Sequence, residues 1–223
     1  TQQVSSAASD VYKRQIKQGE FVAIMGPSGS GKTTLLNMIG GIDAPSSGKV
    51  EIDGCMISSM SEKELIAYRR DNIGFIFQDY SLLPVLTALE NVEFVMQLQG
   101  KTERECRERA TSLLEQVGLA EQMNKVPGKM SGGQQQRVAV ARALAPKPRF
   151  VMADEPTANL DAKSTGELLD IMEQLSEQEG TTFIFSTHDP RVIKRAHRII
   201  VFEDGRLARD FSNIDNRAER SHA

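Results

Sequence analysis

The sequence predicts an α/β fold: a mostly parallel sheet, a flanking antiparallel β piece and an inserted helical subdomain. Three features point there. Short apolar runs at residues 20–25, 73–77, 150–153, 181–185 and 198–202 each end in glycine or polar residues, as buried strands do. Segments of helical spacing lie between most of them. From residue 79 to about 145 the pattern stays helical with no strand signal, which marks the insertion.

In chain order, Glu20-Phe21-Val22-Ala23-Ile24-Met25 is a strand that leads straight into Gly26 and Pro27. Leu35, Leu36, Met38 and Ile39 then form the apolar face of a helix starting at Lys32 and stopped by Gly40-Gly41. Residues 49–54 alternate like a half-exposed strand and supply the antiparallel piece. Residues 73–77 make a buried strand ending at Gln78. In the insertion, Thr102 and Glu105 fit a capping box, and Ala110, Leu113, Leu114 and Val117 recur at helical spacing before Gly118. Pro146 and Pro148 break the last of these helices. Residues 150–153 then run as a strand into Asp154-Glu155, and residues 162–178 form a helix with Leu168, Ile171, Met172 and Leu175 on one face. A β-branched and aromatic strand at 181–185 delivers Ser186-Thr187-His188, and the strand at 198–202 closes with a turn at Asp204-Gly205. A parallel sheet binds ligands at the carboxyl ends of its strands, where these polar residues fall.

The 223 residues suit one large domain. Residues 1–17, rich in Ser, Ala and Gln, are expected to be non-native or disordered, residues 18–210 to form the folded domain, and residues 211–223 a polar tail. Apolar residues at 39% suffice for a real core. The formal charge of -3 provides no global basic field, so no nucleic-acid partner is expected. Cys55 and Cys106 are too few for a disulfide framework and lack zinc-site spacing. No apolar run approaches the roughly 20 residues of a membrane-spanning helix, so membrane attachment is expected to come through a partner.

Gly26-Pro27-Ser28-Gly29-Ser30-Gly31-Lys32-Thr33 fits the phosphate-loop (P-loop) pattern G-x-x-x-x-G-K-[ST]. Its glycines let backbone N–H groups wrap phosphate oxygens, and the helix that follows adds its positive end. Lys32 would neutralise the β and γ phosphates of ATP, and Thr33, followed by Thr34, would ligate Mg²⁺. Asp154 would hold the same ion, and Glu155 would polarise the attacking water. His188 and Gln78, each at a strand end, are placed to reach the γ-phosphate and the metal with its water. Met130-Ser131-Gly132-Gly133-Gln134 is the most discriminating segment. Ser131 and Gln134 make an S-x-x-Q capping box, which does not explain two adjacent glycines at a helix start, where each is destabilising relative to Ala. A second anion-binding helix end is the better explanation, and it is most simply used on the nucleotide of a partner subunit.

These motifs in this order resemble the ATP-binding-cassette (ABC) ATPases, the nucleotide-binding subunits of membrane transporters. The resemblance runs from residue 18 to about 207, with Gly26 to Thr33 as the Walker A loop, Gln78 as the Q-loop and Met130 to Gln134 as the signature. Phe150 to Glu155 match Walker B, Ala158-Asn159-Leu160-Asp161 the D-loop, and His188 the switch histidine. It implies a P-loop NTPase core hydrolysing ATP with Mg²⁺, and a head-to-tail homodimer in which Ser131, Gly132, Gly133 and Gln134 of one copy meet the γ-phosphate held by the other, Asp161 tying the two sites. It also implies an integral-membrane permease as partner, with the chain at the cytoplasmic face of the membrane. Phe75-Ile76-Phe77-Gln78-Asp79-Tyr80-Ser81-Leu82-Leu83-Pro84 and Leu86-Thr87-Ala88-Leu89-Glu90-Asn91-Val92 look like the lipoprotein-release and macrolide-efflux branch.

The pattern departs from the family in two places. Met130 stands where Leu is commoner, a volume-conserving change. The family begins with strands well upstream of the loop, one carrying an aromatic that stacks on adenine, whereas 25 residues precede Gly26 here and Tyr12 is too close to match. Residues 1–15 look more like adapter read-through than a native start, so an N-terminally truncated fragment is expected. The alternative function, a soluble cassette acting on DNA or the ribosome, is disfavoured by the lack of a long heptad region and of a tandem second cassette. A P-loop kinase or switch GTPase has no need of the Ser-Gly-Gly-Gln helix.

Overall fold

The computed structural model describes residues 16–213 of the chain, so the expected N-terminal segment, Tyr12 included, and most of the expected tail lie outside the described residues. In order, the elements are β1 (Phe21–Met25), α1 (Lys32–Ile39), β2 (Glu51–Ile52), β3 (Cys55–Met56), α2 (Glu62–Asn72), β4 (Ile73–Ile76), α3 (Ala88–Leu98), α4 (Glu103–Gln116), α5 (Gly132–Leu144), β5 (Phe150–Asp154), α6 (Ala162–Glu179), β6 (Thr182–Thr187), α7 (Pro190–Arg195), β7 (Arg198–Glu203) and β8 (Arg206–Ser212). Six strands form one sheet in the order β4-β5-β6-β1-β7-β8, parallel throughout except for β8 against β7. The crossover from β1 out to β4 and back carries the helical insertion, α3 to α5. The antiparallel piece is a hairpin of two short strands, β2 and β3, turning at Asp53 and Gly54, both at positive φ.

Strand alternation divides the core between two faces. Val22 and Ile24 of β1, Met152 of β5 and Ile184 of β6 pack with Leu35, Leu36 and Met38 of α1. Phe21, Val151, Ala153, Phe183 and Phe185 face the other way, against Val138 and Leu144 of α5 and Leu168, Leu169 and Met172 of α6. Phe21 and Phe185 lie 4.3 Å apart between ring centroids. Each such fully buried side chain stabilises the fold by about 1.5–3 kcal/mol. The sheet is therefore rigid at its centre, where β5, β6 and β1 lie side by side.

The structure departs from the sequence expectations at four points. Helix α2 has no fully buried residue, so it gives no apolar stripe; its sequence signal is the capping box of Ser61 and Glu64. Helix α7, only six residues long and capped by Asp189, is too short for periodicity to register. Strand β6 continues to Thr187, so Ser186 and Thr187 are buried strand residues rather than the start of a loop. Strand β8, an edge strand with mostly exposed side chains, carries the chain to Ser212, past the expected boundary at residue 210.

Candidate nucleotide site

Strand register brings the site together. Met25 of β1 lies beside Thr187 of β6, and Asp154 of β5 beside Ser186. The chain leaving β1 turns at Gly26, where a Cβ would fall 2.0 Å from the carbonyl oxygen of Phe202, so only glycine lets the loop pass the end of β7. Residues 26–31 then curl back, with Ser30 N–H donating to the Pro27 carbonyl at 3.2 Å and Gly205 N–H to the Ser30 carbonyl at 3.0 Å. Pro27, Ser28 and Gly29 form the exposed crest of this loop. Gly31, at φ 98°, caps α1 without any side-chain hydrogen bond. The first amides of α1, through Thr33 and Thr34, thus have no side-chain acceptor from the protein, and a phosphate would satisfy them. Lys32 arches over the loop, its Nζ donating to the carbonyls of Gly26 and Pro27 at 2.9 Å each. The buried Ser30 Oγ has no protein partner among the described residues.

Thr33 Oγ1 donates to Asp154, 3.1 Å from Oδ1 and 3.0 Å from Oδ2. A hydroxyl and one carboxylate are hard oxygen donors at the base of a phosphate loop, and Mg²⁺ takes one or two such groups plus substrate phosphates and water. The described residues contain no cluster of three or more His, Cys, Asp or Glu side chains, which excludes an all-protein metal cage there and fits this sparse donor set. Thr33 and Asp154 would hold the ion.

Glu155 follows directly and sits at φ 44°, a left-handed conformation that disfavours a side chain with a Cβ by about 1–3 kcal/mol. Its N–H donates to the Ser186 carbonyl at 2.8 Å, extending the β5–β6 ladder by one bond and fixing the twist. The carboxylate is held on both oxygens. His188 Nδ1 lies 2.6 Å from Oε1, and Thr187 Oγ1 donates to Oε2 at 3.3 Å. An ionised carboxylate only accepts, so the shared hydrogen is the imidazole's and Nε2 is left to face outward. His188 is largely exposed and Glu155 largely buried. The structure thus brings His188 to Glu155.

Gln78 leaves the end of β4 into a sharp bend in which Tyr80 (φ 65°) and Ser81 (φ 47°) are both left-handed. The Gln78 side chain is exposed, and its carbonyl accepts from Asn159 Nδ2 at 2.9 Å. Arg142 of α5 donates to the carbonyls of Tyr80, at 3.1 Å, and Ser81. Burial pushes the Arg142 guanidinium below its usual range, opposed by the charge of Asp79.

Ser131 and Gln134 form the expected capping box: Ser131 Oγ accepts from Gln134 N–H at 3.3 Å, and Gln134 Oε1 accepts from Ser131 N–H at 2.9 Å. The box leaves the amides of Gly132 and Gly133 free of side-chain acceptors. Gly132 has a second reason to lack a Cβ, which would come 2.7 Å from Tyr80 Oη. Asp161 caps α6, accepting from Ser164 N–H at 2.9 Å and Ser164 Oγ at 2.7 Å; these hydrogen bonds hold its carboxyl below the ordinary range. Ser164 in turn lies beside Gly133. Lys32, Thr33, Asp154, Glu155 and His188 therefore meet at the sheet's carboxyl edge, while Ser131, Gly132, Gly133, Gln134 and Asp161 form a separate group.

The charge at the helix ends separates two helices from the rest. Helices α2, α3 and α4 carry capping boxes closed by Glu64, Glu90 and Glu105, and α6 and α7 are capped by Asp161 and Asp189. Of the described helices, only α1 and α5 have no carboxylate at the cap or in the first turn. Their amino ends remain electropositive.

Sequence reading missed Thr187, Asn159, Arg142 and Thr157. Thr187 sits next to a singled-out histidine but is silent as a buried strand residue. Thr157, also buried, donates to Asp189 at 2.8 Å and ties the turn after Glu155 to the cap of α7. Only strand register and loop packing reveal such contacts.

Residues 10–158 match the family model described as ABC transporter. The macrolide export ATP-binding/permease protein MacB of Rhodopirellula baltica is 44% identical over 208 residues, covering 92% of this chain, which spans only 30% of that protein's length. An uncharacterized ABC transporter ATP-binding protein of Bacillus subtilis, YvrO, is 48% identical over 208 residues, covering 93% of this chain and 88% of its own. Among solved structures, the dimeric post-hydrolysis state of the Methanocaldococcus jannaschii ATP-binding cassette MJ0796, bound to ADP and Pi, superposes with a TM-score of 0.83 at 44% identity, covering 89% of this chain and 88% of that one.

Proposed function

Because the chain belongs to the ABC transporter family, we propose that it is the ATP-hydrolysing subunit of a transporter, acting as a head-to-tail homodimer on a membrane permease. The observation that carries the shared site is the pair of carboxylate-free helix ends. The end of α1 has Asp154 and Glu155 beside it; the end of α5 has no hydrolytic group of its own. An anion-binding end without chemistry is accounted for if it closes on the nucleotide of a second copy.

In each half, the amides of α1 and the Lys32 ammonium take the β and γ phosphates of ATP. Mg²⁺, when bound by Thr33 and Asp154, supplies positive charge between those phosphates. Glu155 accepts the proton of the attacking water, its carboxylate aimed by Thr187 and His188. Gln78 lies on the side from which the water and the metal are reached. Ser131, Gly132, Gly133 and Gln134 of the second copy complete the γ-phosphate pocket, and Asp161 fixes α6 against Gly133 so that this pocket keeps its shape. No described helix is long and apolar enough to cross a membrane, consistent with attachment through the permease at the cytoplasmic face. The likeness to MacB supports the macrolide-efflux and lipoprotein-release branch, in which closing the dimer drives the permease.

Glu155→Gln is the test. It is expected to preserve ATP binding, to lower hydrolysis by ~10²- to 10⁴-fold, the usual worth of a general base, and to accumulate an ATP-bound dimer by light scattering. An undiminished rate removes Glu155 from the role of base, and a persistent monomer with ATP bound argues against the shared site.

A further inference from the structure

Helix α5 is tied to the loop after β4 at both of its ends. At the amino end, the Tyr80 hydroxyl occupies the space that a Cβ on Gly132 would need. At the carboxyl end, about 16 Å further along the axis by helix geometry, Arg142 donates to the carbonyls of Tyr80 and Ser81. A third tie, from Asn159 to the Gln78 carbonyl, joins the turn before α6.

The Arg142 contact is costly for what it satisfies. Its guanidinium is desolvated, and Asp79 is the acid that offsets this. Ser81 is exposed, so water could serve its carbonyl equally well. The two residues that Arg142 grips are also those held at positive φ without being glycine. A buried cation holding a strained bend links two elements mechanically.

We propose that Arg142 is a positioning residue that makes α5 travel with the Gln78 loop, so that Ser131 and Gly133 reach the phosphate of a second copy only when Gln78 is seated at its own. The inference rests on the shared-site reading above. Nucleotide binding by a single copy does not involve Arg142, because the phosphate loop and α1 make no use of it. Closure of two copies does, because it needs the amino end of α5 in register.

The test compares Arg142→Met and Arg142→Lys with their parent, all carrying Glu155→Gln, by fluorescent-nucleotide titration and by sedimentation at saturating ATP and Mg²⁺. For Arg142→Met, nucleotide affinity is expected to stay within threefold of the parent while the dimerisation constant weakens by about tenfold, inside the roughly 5- to 150-fold range of coupling between sites. Arg142→Lys, whose ammonium lacks the planar fork, is expected to show a smaller loss in the same direction and decides the matter if the Met variant does not fold. Dimerisation equal to the parent in the folded variants overturns the proposal. So does a fall in nucleotide affinity that matches the fall in dimerisation, which would make Arg142 a general support of the fold. A parent that binds ATP but stays monomeric overturns the shared-site reading and this inference with it, a pattern distinct from the other two.

Discussion

Helices α1 and α5 both begin in glycine-rich segments without acidic charge, yet they are built differently. Helix α1 is capped by Gly31 alone and makes no side-chain bond at its end, so its amides can adapt to a ligand that wraps them. Helix α5 is fixed by a neutral capping box and by Tyr80 packed over Gly132, so its end is shaped before any ligand arrives. A loop that encloses phosphate must have free amides on several sides. A surface that presses on phosphate from outside needs a fixed shape and positive potential. The same dipole serves both, and the cap decides which.

The largest expected difference comes from removing charge at α1. Lys32→Met should weaken ATP binding by a single copy about ten- to a hundredfold, since a hydrogen bond to a charged group is worth about 1.5–3 kcal/mol. Ser131→Ala should leave that affinity unchanged while lowering thermal stability through loss of the cap, typically worth ~1 kcal/mol. Calorimetric titration of both variants checks the contrast. Equal losses of affinity would mean that α5 acts on the nucleotide of its own chain.

Adding charge at α5 sharpens the same contrast. Gln134→Glu keeps the capping box and matches the caps of α2, α3 and α4, so the folded chain should be unchanged or more stable by about 0.3–1 kcal/mol. The new carboxylate would face phosphate in the closed dimer, where like charges a few ångströms apart oppose each other by on the order of 1 kcal/mol even in water. Dimerisation in the Glu155→Gln background should fall on the order of tenfold. A variant that is more stable and also dimerises as well as its parent would show that the neutrality of this cap has no role.

What the sequence disclosed follows from which contacts are local. The phosphate loop, the Asp154-Glu155 strand end and the Ser131 capping box each lie within eight residues, and their geometry follows from rules of strand end and helix start. The parallel sheet was legible because apolar runs such as Val22-Ala23-Ile24 are buried on both faces. The pairing of His188 with Glu155 across 33 positions depends on the register of β5 with β6, which no local pattern encodes. Arg142 is less legible still. In sequence it is one more charge on a helix, and only the fold shows that it reaches back 62 residues to Tyr80. The edge strand β8 and helix α2 escaped notice for the opposite reason, since they bury too little to leave a periodic trace.

The smallest expected effect separates the two kinds of cap by acidity. Hydrogen bonds from Ser61, Thr87 and Thr102 hold the carboxyls of Glu64, Glu90 and Glu105 below the ordinary glutamate range. A carboxyl whose pKa is lower in the folded chain stabilises it fully above the unfolded value, about 4.3 for glutamate, and the contribution is lost as pH falls through the folded value. Amide protection in the first turns of α2, α3 and α4 should therefore decline as pH is lowered from about 5 to about 3, a window set by that unfolded value. Gln134 has no proton to gain, so the first turn of α5 should hold its protection over the same interval, relative to intrinsic exchange. Parallel fraying of all four ends would place the acid sensitivity in the subdomain as a whole. Selective survival of α5 would mean that its end keeps both its shape and its charge where its neighbours lose theirs, as a surface built to meet an anion requires.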